Sequence, residues 1–183
     1  ANTFRGRIDA KDGKVILGGL STFAKELTKT KKVILLGQGT ALHAAMIGEY
    51  MLEDLAKIGA VAEYASEFRY RNPIIEDGTA AIAVSQSGET ADTLAALIEA
   101  KERGALALGV INVVGSTMAR ETDAGVYLRV GPEIGVASTK AFVGQVAVLT
   151  LVTLWLARRR QMSADQCGDL LKHLETVPGK IER

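Results

Sequence analysis

Six consecutive residues, Ser85-Gln86-Ser87-Gly88-Glu89-Thr90, place three hydroxyls, an amide and a glycine between an apolar run and a stretch of helical character. This is the chemistry of an anion site. The preceding run, Ala80-Ala81-Ile82-Ala83-Val84, is short, continuous and uncharged, as a strand buried on both faces of a parallel sheet should be. Ala91 to Arg103 reads as a helix. At a strand-to-helix turn the first backbone N–H groups lack partners and the helix dipole favours negative charge, so main chain and hydroxyls together hold a phosphate. The simpler alternative is that Ser87 caps the helix. Three hydroxyls and an amide exceed what one cap needs, which favours the phosphate.

Two further segments have the same placement. Gly37-Gln38-Gly39-Thr40 follows an apolar run, but a dinucleotide fingerprint needs Gly or Ala where Leu42 stands, and Glu63 is a poor substitute for the ribose-binding acid. A tight connection is the better reading. The third segment, Gly131 to Lys140, ends in Ser138-Thr139-Lys140 ahead of an apolar helix. It is either a loop with a Ser or Thr cap, or a pocket wall whose glycine backbone and Ser138 hydroxyl bind sugar hydroxyls; composition leaves the two open.

These segments must be carried by a scaffold, and the chain supplies one. Strands are expected at Lys32 to Leu36, Val61 to Ala65, Ala80 to Val84, Leu106 to Ile111 and Gly125 to Val130. Helices are expected at Thr40 to Ile58, Thr90 to Arg103, Ser116 to Thr122, Thr139 to Arg160 and Ala164 to Thr176. Alternation of this kind implies α/β architecture, a three-layer α/β/α sandwich around a five-stranded parallel sheet. Ligands of such sheets bind beyond the carboxyl ends of the strands, near a switch in strand order, which puts the first two glycine- and hydroxyl-bearing loops on one rim.

Composition limits the alternatives. The 183 residues suit one domain with a full core. With 22 basic and 21 acidic residues there is no electrostatic footprint for nucleic acid, and Arg158-Arg159-Arg160 reads as a helix end whose cations oppose the dipole. Cys167 has no disulfide partner within the chain, and with only His43 and His173 no zinc-type cluster is expected. The near-continuous apolar run Ala141 to Ala157 is at the short limit for a membrane span and contains Gln145, Thr150 and Thr153, so a helix buried in the core or at a subunit interface is expected instead. No basic-then-apolar signal region opens the sequence, and a cytoplasmic location is expected.

Taken together, Ser-Gln-Ser-Gly-Glu-Thr-Ala-Asp-Thr-Leu from Ser85, Ala-Ser-Glu-Phe-Arg-Tyr-Arg from Ala65 and Glu-Ile-Gly-Val-Ala-Ser-Thr-Lys-Ala-Phe from Glu133 resemble the sugar isomerase (SIS) domain, the first of the two in the glutamine–fructose-6-phosphate aminotransferase family. The resemblance covers nearly the whole chain and implies a flavodoxin-like SIS sandwich. It implies a linker from a preceding domain at 1–15, the SIS domain at 16–162, and a C-terminal helix and hinge toward a second SIS domain at 163–183.

In that family a glutaminase domain releases ammonia, and two SIS domains convert fructose 6-phosphate to glucosamine 6-phosphate. By resemblance Ser85, Gln86, Ser87, Thr90 and Thr40 bind the sugar phosphate, and Gly39, Val136 and Ser138 line the sugar. No metal or cofactor is implied. The family's catalytic histidine, glutamate and Schiff-base lysine lie in the second SIS domain, so no catalytic residue is assigned here and the chain is expected not to complete the reaction alone. Lys140 is expected to be solvated, His43 to sit on a helix without acid–base work, and Glu133 to lack a base beside it.

One departure concerns the phosphate. Where the family shows Cys-Gly-Thr-Ser, this chain has Gln38-Gly39-Thr40-Ala41. The missing hydroxyl at Ala41 removes one hydrogen bond to a charged group, ~1.5–3 kcal/mol, or about tenfold or more in affinity. Gln38 either crowds the ligand or supplies a substitute donor. Three readings follow: half of an isomerase region in a longer protein, a free-standing SIS isomerase or sensor that acts as a homodimer, or a structural dimerisation module with a decayed pocket. The apolar helix makes self-association plausible in each.

Overall fold

The computed structural model describes residues 2–133 and 138–181. The chain opens with a small antiparallel hairpin, β1 (Ile8–Asp9) and β2 (Lys14–Val15), a 3-10 helix (Gly18–Phe23) and α1 (Ala24–Lys29). Then come β3 (Lys32–Gly37), α2 (Thr40–Met51), a π turn (Leu52–Ala56), β4 (Gly59–Tyr64), α3 (Ala65–Tyr70), β5 (Thr79–Ser85) and α4 (Ala91–Glu102). The order continues with β6 (Leu106–Ile111), α5 (Thr117–Glu121), β7 (Ala124–Tyr127), α6 (Lys140–Arg160) and α7 (Ala164–Ile181).

The five-stranded sheet is parallel throughout, in the order β4-β3-β5-β6-β7. Its core has two sides because successive strand residues point to opposite faces. Val33, Leu35, Ala80, Ile82 and Val84 pack with α2 and α6 on one face; Ile34, Leu36, Ala81, Ala83 and Ala107 pack with α3, α4 and α5 on the other. This is the expected three-layer α/β/α sandwich. The central strand β5 is buried along all seven residues, which is why its sequence reads as an uninterrupted apolar run.

Strand order reverses between β3 and β5. After β3 the chain crosses to β4 on one side; after β5 it steps through β6 to β7 on the other. Helices on opposite faces carry these opposite steps, as right-handed crossovers require. The carboxyl ends of β3 and β5 therefore lie side by side with their outgoing loops diverging, and a crevice opens between them.

The apolar helix α6 is a core helix. By length and composition it could cross a membrane, but Val148, Leu149, Leu151, Val152, Leu154 and Trp155 are all buried inside this fold. It packs closely on α2: a Cβ at Gly48 would stand 3.2 Å from Leu149 Cδ1. Its terminal arginines are used as ties. Arg160 donates to the carbonyls of Thr28 and Thr30, Arg158 to those of Gly13 and Met162, and Arg159 lies over the Trp155 ring at 3.6 Å. At the other end the Glu133 carboxylate accepts from the N–H groups of Thr139 (3.0 Å) and Lys140 (3.1 Å) and from the Ser138 hydroxyl (3.0 Å). It thus caps α6.

Several element boundaries depart from the sequence reading. The helix expected from Thr40 to Ile58 stops at Met51, passes through the π turn and ends at Lys57, whose φ of 53° is left-handed. Ala65 begins α3 rather than ending β4; six residues are too few to show helical periodicity, although Phe68 is fully buried. Strand β7 ends at Tyr127 instead of Val130, because Arg129 takes a φ of 57° that no strand continues through. The last helix runs on from Thr176 to Ile181, through Pro178. Residues of the expected lead-in at 1–15 pack on the domain: Val15 is buried, and the Arg7 guanidinium donates to Tyr127 O at 2.7 Å.

Two substitutions test these supports. Gly88, in the loop after β5, has a φ of 69°, and a Cβ there would fall 2.1 Å from Ser116 Oγ and 3.0 Å from Ile111 Cγ2. Gly88→Ala should cost about 2–4 kcal/mol from left-handed strain and overpacking, read by denaturant unfolding. A change within about 0.5 kcal/mol would show that the loop relaxes freely. For Glu133, desolvation raises the carboxyl, but the hydrogen bonds from Thr139, Ser138, Ala141 and Lys140 outweigh it and hold it below its ordinary 4.5. A depressed carboxyl contributes stability above its unfolded value and loses it as pH falls through the folded one. Glu133→Gln should therefore be less stable by about 1 kcal/mol at neutral pH, the worth of a helix cap, with the difference closing below pH 4.5. A difference independent of pH in melting experiments would refute the charge-assisted cap.

Candidate functional site

The crevice at the switch point is a cleft of about 370 Å³. One wall is the turn after β3. Gly37 is required there because a Cβ would lie 2.8 Å from Leu42 N, inside the first turn of α2. Gly39 takes a φ of 55° and stands at the N-cap of α2 without a side-chain cap bond, so Thr40 and Ala41 enter the helix facing the cleft.

The opposite wall is the loop after β5, held at several points. Ser85 Oγ accepts from Gly88 N at 3.0 Å, and Ser87 Oγ accepts from Glu89 N at 3.1 Å. Met118 N donates to Gly88 O, Asn112 N donates to Gln86 O, and Glu89 Oε1 accepts from Thr117 N at 2.8 Å. The bonds from Thr117 hold the exposed Glu89 carboxyl below its ordinary range. The loop is thus latched to β6 and α5.

Ser87 is not the helix cap. Thr90 occupies the N-cap of α4, with extended backbone and no side-chain cap bond. Ser87 Oγ uses one of its two lone pairs on Glu89 N, and among the described residues the Ser85 and Ser87 hydroxyls donate to no acceptor. Their protons and the amides of the first turn of α4 remain for a ligand.

The cleft brings together Gly39, Thr40, Ser85, Gln86, Ser87, Thr90 and Ser138, as well as Gln38 and Ala41, where the chain departs from the family pattern. Val136 lies outside the described residues. The lining among the described residues includes neither lysine nor arginine. Any anion held here is met by neutral donors and by the N-terminal ends of α2 and α4. The N-terminus of α6 also reaches the cleft, through Ser138, but there Glu133 neutralises it. The cleft is therefore polarised, with an anion-attracting side at β3 and β5 and a carboxylate-bearing side at α6.

The other candidates fall outside it. Lys140 Nζ is turned to the Pro132 carbonyl, His43 is exposed on α2, and Glu133, though in the lining, is occupied as a cap. Two lining residues were not singled out by sequence: Thr93 on α4 and Gln145 on α6, each 1 % exposed. Both sit inside helices, where a polar side chain is unremarkable until packing shows it buried.

The profile described as SIS domain matches residues 26–154. Glutamine–fructose-6-phosphate aminotransferase of Chlorobaculum tepidum is 48% identical over 98% of this chain, which spans 29% of that protein; the one from Bacteroides thetaiotaomicron is 46% identical over 97% of the chain and is likewise spanned over 29% of its length. Among solved structures, the C-terminal domain of glucosamine-fructose-6-phosphate aminotransferase from Francisella tularensis superposes with a TM-score of 0.91 at 34% identity, over 97% of this chain and 50% of that one. With more than half of its residues in the matched profile and its fold that of the sandwich described above, the chain belongs to the SIS domain family.

Proposed function

We propose that this chain is the first sugar-isomerase half of a glutamine–fructose-6-phosphate aminotransferase and binds a ketohexose phosphate without completing the reaction alone. The observation that carries this is the cleft itself, where uncapped N-termini of α2 and α4 and free hydroxyls converge at the switch point. Thr40, Ser85, Gln86, Ser87 and Thr90 take the phosphate; Gly39, Ser138 and Val136 face the sugar. The identity of 48% to an aminotransferase along nearly the whole chain supports the substrate.

The arrangement binds and orients. A phosphate at the positive ends of two helices needs no cation, and donors fixed in the latched loop cost little reordering on binding. The sugar carbons then lie toward the Glu133 and Ser138 side. Among the described lining residues none is placed as an acid–base pair, since Glu133 is held by backbone N–H groups. Ring opening and amination therefore fall to other parts of the assembly, a second SIS domain and a glutaminase domain. The remaining features of this reading are a homodimer, a cytoplasmic location and domain limits at 16–162, with flanking segments leading to neighbouring domains.

Calorimetric titration of the chain with fructose 6-phosphate, free fructose and inorganic phosphate tests this. Fructose 6-phosphate should bind, phosphate should compete weakly, and fructose should give no heat; Ser87→Ala should weaken the sugar phosphate about tenfold. Absence of binding at millimolar fructose 6-phosphate would sink the proposal. A second titration uses Ala41→Ser, which restores a hydroxyl at the first turn of α2. It should tighten both phosphate ligands by up to tenfold, and weakened binding would mean that the phosphate lies away from that turn.

A further inference from the structure

Among the described residues four buried side-chain polar atoms have no hydrogen-bond partner: Thr79 Oγ1, Thr93 Oγ1, Gln145 Oε1 and Thr153 Oγ1. Two of the four, Thr93 and Gln145, line the cleft. They come from different helices, α4 and α6, and each is 1 % exposed. A buried polar group without a partner is costly, so a pair of them on residues that line one cavity marks where a polar partner belongs.

The chemistry of the two atoms narrows that partner. Gln145 Oε1 is a carbonyl oxygen and only accepts. A phosphate dianion presents only acceptor oxygens and cannot satisfy that atom. A hydroxyl satisfies Gln145 by donating, and Thr93 Oγ1 by either role. We infer that Thr93 and Gln145 form a polar floor that reads hydroxyls of the bound sugar, making this site selective for phosphorylated polyhydroxy compounds over other phosphate anions. The inference rests on the sugar-phosphate reading above and adds the residues that recognise the part of the ligand beyond the phosphate.

The floor separates two kinds of affinity. Hydroxyls of the loop after β5 and the ends of α2 and α4 serve any phosphate; the floor serves only ligands that carry donors at the right reach. In the empty protein the floor is a strain on stability, because two polar groups are desolvated without compensation. Replacing one by an apolar side chain of similar shape should therefore leave the free protein as stable or more so, and should cost only the sugar.

The test compares fructose 6-phosphate with inorganic phosphate by calorimetry on the wild-type chain, Gln145→Met and Thr93→Val, with thermal melting of each. Both variants should keep or raise the melting temperature, lose about tenfold in affinity for fructose 6-phosphate, and bind phosphate as before. Unchanged sugar-phosphate binding in a folded variant overturns the floor while the anion site stands. Equal loss of both ligands, or a lowered melting temperature with the ratio of the two affinities unchanged, makes the residues structural and also overturns it. Wild-type binding of phosphate with no preference for fructose 6-phosphate removes the floor alone; binding of neither ligand removes the sugar-phosphate reading and the floor with it. Should one variant fail to fold, the other decides.

Discussion

Everything at the site depends on the reversal of strand order between β3 and β5. Two adjacent parallel strands send their chains to opposite faces, so the helices that follow begin side by side and point their N-termini into one crevice. Each helix begins with amides that have no partner of their own. In most helices a side chain satisfies them. Here Gly39 has no side chain to offer, and the Thr90 hydroxyl does not turn back onto its own helix. Ala41 N and Leu42 N donate to the Gln38 and Gly39 carbonyls, so what the two helix ends offer the cavity is chiefly the positive end of each dipole, unopposed by a side-chain cap.

This constraint explains why the cleft contains no lysine or arginine among its described lining. A flexible cation would bind phosphate through a point charge, with little directional preference and with rotamer freedom to lose. Backbone amides and short hydroxyls are fixed by the sheet and by the latches from Glu89, Gly88 and Gln86 to the α5 side. The third helix end, at α6, is treated oppositely. Glu133 accepts from its first amides, so the positive end of that dipole is neutralised. Two helix ends without a side-chain cap and a third filled by a carboxylate make the cleft electrostatically asymmetric.

The sheet was readable in the sequence because burial on both faces writes a continuous apolar run, as in β5, and the two hydroxyl-bearing loops were readable because they follow such runs. What escaped notice was short or left-handed. The strands of the hairpin have two residues each, and α3 has six, too few for any period to emerge. The π turn that follows α2 is closed by Lys57, and Arg129 lies just past β7; both are left-handed and neither is glycine, so the usual mark of such a conformation is missing. Thr93 and Gln145 were invisible as site residues for another reason: nothing in a helix's sequence says whether a polar side chain meets water, a partner or an empty cleft.

The same geometry that makes this a good binding site makes it a poor place for proton chemistry. A general base needs a free lone pair near the reacting carbon and an affinity for protons close to the working pH. Glu133, the carboxylate in the lining, has its oxygens taken up by two backbone amides and the Ser138 hydroxyl, bonds that favour the charged form and lower its proton affinity. Releasing it for catalysis would uncap α6, whose packing against α2 holds one face of the sheet. The carboxylate is thus tied to the fold. On the proposed reading the domain holds the phosphate and sets the direction of the sugar, and proton transfer falls to groups outside its own framework.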